Sequence, residues 1–70
     1  MLTPSVNVNA ATLAEQLGPG YTVTGQVDPT GTSYVAGQPI RVSSGNDPED
    51  TALSAALGAM GVAHGPSVGL

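Results

Sequence analysis

Tyr21-Thr22-Val23-Thr24-Gly25-Gln26-Val27 is followed directly by Asp28-Pro29-Thr30-Gly31, and the fold is read outward from these two stretches. Tyr21, Val23 and Val27 share one side, with Gly25 in line, while Thr22, Thr24 and Gln26 share the other. That period of two marks a strand with one buried face. In the second stretch proline presets φ for a type I turn, aspartate bonds back to the backbone, and glycine takes the left-handed position that follows. Together they predict a hairpin with a three-residue loop and a bulge. The resulting register sets Val27 against Ser33, Gln26 against Tyr34 and Gly25 against Val35. Tyr21, Val23, Val27 and Val35 then form the apolar face, and Gly25 leaves room for a helix or a partner. Gly37-Gln38-Pro39 interrupts the return strand, because Pro39 has no N–H to donate. Ile40-Arg41-Val42 resumes it, and a loop follows from Ser43.

Helices are expected on either side. Either Asn9 is the N-cap of a short helix, or Thr12 and Glu15 form a capping box one turn later. Leu13 and Leu17 lie four apart on one stripe. Gly18-Pro19-Gly20 ends the helix, with Gly18 placed for a left-handed cap. The second helix opens with Asp47 as N-cap, Pro48 at its first position, and Glu49 and Asp50 at the positive end of the dipole. Leu53, Leu57 and Met60 share a face, and Gly61 closes the helix. The fold class is therefore α+β, a small single domain: an extended N-terminal arm (1–9), a helix–β-hairpin–helix domain (10–61) and an extended C-terminal tail (62–70). The expected core is Val6, Val8, Leu13, Leu17, Tyr21, Val23, Val27, Val35, Ile40, Val42, Leu53, Leu57 and Met60.

Composition excludes several function classes. The 70 residues contain no Cys, Trp or Phe, so disulfides are excluded, and one His without Cys cannot build a structural zinc site. One Lys or Arg against five Asp and Glu cannot neutralise a phosphate backbone or bind a membrane surface, so neither nucleic acid nor membrane is an expected partner. Charged residues make up 9% of the chain, against about 25% in ordinary soluble domains. A core of modest aliphatic groups without sulfur or metal crosslinks is marginal, and small domains of this kind usually depend on oligomerisation. Met1-Leu2-Thr3-Pro4 has neither a basic region nor an apolar run, so no signal peptide is expected. Ala52–Met60 is too short to span a bilayer.

Chemistry is sparse. His64 is the lone imidazole, placed with Ser67 in the expected tail, where a rigid catalytic geometry is hard to hold. It reads as a solvated or interface side chain. Asp47, Glu49 and Asp50 sit where helix capping wants carboxylates. Gly18-Pro19-Gly20 has no Lys and loses a donor at Pro19, so it does not cradle phosphate. No cofactor, metal or small-molecule substrate is expected, and no enzymatic activity.

What remains is binding to protein. Val6 and Val8 at one end, and Val68 and Leu70 at the other, lie in short uncharged segments suited to strand addition on a neighbour. Tyr34 and Arg41 complete the expected partner-binding set. The leading expectation is a structural subunit of a large assembly, most concretely a small bacteriophage virion protein that decorates a capsid or joins a tail, located in the virion or the cytoplasm. The alternatives are a small acidic adaptor or inhibitor of one protein partner, and a precursor peptide with a processed C-terminus.

Overall fold

The computed structural model describes residues 1–43 and 47–66. The elements are β1 (Leu2–Pro4), β2 (Val8–Asn9), α1 (Ala10–Leu17), β3 (Val23–Gly25), β4 (Ser33–Tyr34), β5 (Ile40–Val42), α2 (Asp47–Ala59) and β6 (His64–Pro66). This is an α+β domain of two helices on antiparallel strands. A four-stranded sheet runs β3-β5-β1-β6, and β2 pairs β4 beside it.

The two sheets share their paths. Register is unbroken from Leu2↔Ile40 to Val8↔Tyr34, so β1 with β2, and β4 with β5, are successive halves of two neighbouring strands. Between the halves the chain leaves the ladder at Ala36–Gln38, where the Gly37 N–H still reaches the Pro4 carbonyl at 2.9 Å. Pro4 is tolerated inside the sheet because the neighbouring chain has turned away where its missing N–H would fall. Taken along the chain, the order is strand, helix, two strands, helix, strand, the split β-α-β arrangement.

The hairpin turn forms as expected: the Gly31 N–H closes on the Asp28 carbonyl at 2.9 Å. Its register differs by one residue from the expected one. Val27 faces Tyr34, not Ser33, and the Asp28 N–H bonds the Ser33 carbonyl at 2.9 Å, which makes a four-residue loop. The Asp28 carboxylate selects this loop, accepting the Thr32 N–H at 3.0 Å and the Thr30 hydroxyl at 2.8 Å. A slip of one residue exchanges the faces, so Tyr34 joins the core side in place of Val35. Past the excursion the return strand meets β3 in a new register, Gly25↔Ile40, in place of the expected Gly25–Val35 pair.

Two helix ends, at Asn9 and Gly61, follow their sequence signals. Asn9 Oδ1 accepts the Thr12 N–H at 2.9 Å. At the far end of α2 the Val62 N–H reaches the Leu57 carbonyl at 2.9 Å and the Gly61 N–H the Gly58 carbonyl at 3.0 Å. With Gly61 at φ 73, this is a Schellman cap, whose positive φ an L side chain would resist. Gly18 departs from the expected left-handed cap: its φ of 86 is joined to a ψ of 179. Asp47 is the first residue of α2, and the side-chain capping expected of it lies outside the described residues.

Both helices lie on one face. Leu13 of α1 meets Leu53, Ala56 and Leu57 of α2 over Val8, Ile40 and Val42 of the strands. Val6, Tyr21 and Val27, expected in the core, are 52%, 42% and 45% exposed. Val6 sits in the bend between β1 and β2, and Tyr21 and Val27 lie just before and just after β3. Ala56 and Pro4 are buried instead. The accessible surface of 3956 Å² equals that of a folded monomer of this mass, about 3,950 Å². The small core therefore closes a molecule about as compact as a typical monomer of its mass.

Candidate interaction surfaces

The segments expected as arm and tail meet in the sheet. Thr3 pairs Gly65 and Pro4 pairs His64, and the Ser5 N–H bonds the Ala63 carbonyl at 2.8 Å. His64 is therefore a strand residue, half-buried against α2, in place of the extended-tail position expected from the sequence. Its Nδ1 lies 2.8 Å from the Val62 carbonyl. A carbonyl only accepts, so Nδ1 carries a proton, and in the neutral ring Nε2 accepts from the Ser54 hydroxyl at 2.8 Å. Serine, imidazole and an orienting acceptor are the parts of an activated nucleophile. Ser54, however, lies inside α2, where the adjacent amides are committed to helical bonds and none is aimed at a developing oxyanion. Geometrically the pair ties β6 to the helix. Ser67, which neighbours His64 in sequence, lies outside the described residues.

Among the described side chains the carboxylates form no cluster. Asp50 holds the Met1 amine at 2.8 Å. Among the described residues no group of three His, Cys, Asp or Glu is placed to hold a metal ion, and no helix is long and apolar enough to cross a membrane. Asp28 is held below its ordinary carboxylate range, first by the Thr30 hydroxyl and then by backbone amides of the loop. Burial pushes the Tyr34 phenol up.

Where the Ala36–Gln38 excursion leaves the ladder, an open groove of 640 Å³ forms between Ser5, Gly37 and His64. Its walls are small and neutral, and both ring nitrogens of His64 are already engaged. The break at Gly37 was legible in the sequence but the groove was not, because its other walls, Ser5 and His64, come from segments distant in the chain.

The expected partner-binding residues separate. Val6 is exposed on its bend, but Val8 is only 1% exposed and belongs to the core, so it offers a partner no contact. It is buried because β2 pairs β4 and turns its side chain toward α1. Tyr34 is half-buried over Gly25. Arg41 is exposed on the helix-free face, beside Thr24. Val68 and Leu70 lie outside the described residues.

The two sheet edges differ. On the β6 side, residues 63 and 65 bond inward to β1, which leaves His64 and Pro66 facing out. Pro66 has no N–H, and that blunts the edge. On the β3 side, the Ser43 N–H bonds the Thr22 carbonyl at 2.6 Å and the Val35 N–H the Gln26 carbonyl at 2.9 Å. Even-numbered residues thus bond inward, and the N–H and C=O groups of Tyr21, Val23, Gly25 and Val27 face out. Among the described residues nothing pairs with them, and the exposed Tyr21 and Val27 side chains flank the row. Sequence reading located this strand but not its open edge, since edge position follows from the order of distant strands. No family model, characterised protein or solved structure matches this chain.

Proposed function

We propose that the chain is a non-enzymatic structural subunit of a large protein assembly, most concretely a small bacteriophage virion protein that decorates a capsid or joins a tail. The observation that carries this reading is the unpaired β3 edge, flanked by exposed Tyr21 and Val27, on a chain with 9% charged residues. Open edges with neighbouring apolar groups template pairing with another chain, and free proteins usually blunt them with charge, proline or a bulge. No charge lies between Tyr21 and Val27. The virion version rests further on the sparse chemistry of these residues.

A small acidic adaptor or inhibitor would use the same edge to add one strand of a single partner. Stoichiometry separates the two. Crosslinking in native material, followed by imaging of the purified complex, is expected to find many copies related by symmetry. A soluble one-to-one complex would overturn the assembly reading in favour of the adaptor.

A further inference from the structure

We propose that a second copy of this chain pairs with the β3 edge through residues 21–27, antiparallel about a two-fold axis at Thr24. The inference rests on the assembly reading, for which it names a first contact.

The edge is self-complementary. Tyr21 and Val27, the two exposed large apolar residues on it, stand three positions to either side of Thr24. An axis there sets Tyr21 of each copy opposite Val27 of the other, on the same face of the joined sheet. An aromatic beside a β-branched residue is a favourable cross-strand pair. The same axis sets Val23 opposite Gly25, and both present outward backbone groups, so each pair exchanges two hydrogen bonds. A one-residue shift of register would oppose outward groups with inward ones and lose those bonds. Strand 21–27 carries no charge, and Asp28 falls opposite Gly20 of the other copy, so no like charges meet. The β6 edge is poorer because Pro66 lacks a donor there.

Extent sets the strength. Seven residues from each copy are far fewer than the roughly 20–30 a side in a stable interface. The pair is therefore weak, and is populated at high concentration or when copies are held side by side.

The test uses the full chain in sedimentation equilibrium over a concentration series, together with amide exchange. Self-association is expected, with the Val23 and Gly25 amides gaining protection as concentration rises while the Thr24 amide, already bonded to β5, does not change. Val27→Lys is expected to weaken association by about tenfold or more, since an edge lysine blunts strand pairing. Tyr21→Lys mixed with Val27→Glu is expected to associate more tightly than either variant alone, because the axis sets those positions opposite each other. A parent chain that stays monomeric at the highest attainable concentration overturns the inference. Protection appearing elsewhere, or a mixture no tighter than its components, does the same. A monomeric free chain found in many symmetric copies in a particle would sink this contact alone, whereas self-pairing without any particle would sink the assembly reading alone.

Discussion

Gly25 and Tyr34 compete for the same space: a β-carbon built on residue 25 would lie 2.9 Å from Cδ1 of the Tyr34 ring and 3.3 Å from its Cε1. The room expected above Gly25 for a helix or a partner is filled by a side chain of the hairpin's own return strand. Tyr34 faces Val27 and leans along the strand onto Gly25, a diagonal that only the observed register permits.

Gly25→Ala is accordingly expected to destabilise the fold by about 1–3 kcal/mol, the usual penalty for overfilling a packed site. Without the ring, alanine in a strand would be favourable. Urea denaturation of Gly25→Ala, Tyr34→Ala and the double variant checks this. A coupling of about 0.5–3 kcal/mol is expected between the two positions, and additive effects would show that the contact is not formed.

Leu57 is fully buried among Leu13, Leu53 and Val42. Leu57→Ala is expected to cost about 2–5 kcal/mol. Domains of this length hold roughly 3.5–10 kcal/mol in total, so a large unfolded fraction should be visible by circular dichroism. Val6→Ala, at an exposed position, is expected to stay within about 0.5 kcal/mol of the parent.

Asp28 organises the hairpin loop through its ionised carboxylate, and its folded-state pKa lies below the ordinary 3.8. Its contribution is fully present above that value and is lost as pH falls through the lowered folded-state value. Thermal melts of the parent and Asp28→Asn are therefore expected to differ most above the ordinary value and to converge in stronger acid. A constant difference across that range would count against the loop geometry.

Ser54→Ala leaves Nε2 of His64 without its donor. The expected cost is about 0.5–1.5 kcal/mol, with faster amide exchange at Gly65 and Thr3 than at Arg41, because the tie holds β6 and not β5. Equal acceleration across all three would show that the hydroxyl merely contributes to the helix.

Local chemistry was legible in the sequence. Asn9 as a cap, the Asp28–Gly31 turn, the break at Gly37-Gln38-Pro39 and Gly61 as a helix stop depend on backbone sterics and hydrogen bonds within a few residues of each signal. The face of Tyr34 was not legible, because three- and four-residue loops share the same turn residues and a carboxylate bonding Thr32 chose between them. The sequence around Val8 suits both a core strand and a partner-binding arm; pairing with Tyr34 across a separation of 26 positions places it in the core. The sequence by itself determined where the chain turns, where its helices start and stop, and which chemistries it lacks, since these follow from residue type and near neighbours. Only the tertiary structure decided which strand became an edge, that His64 meets Ser54, and that Val6, Tyr21 and Val27 face outward. Strand order is set by the collective packing of distant segments, and no short stretch of sequence carries it.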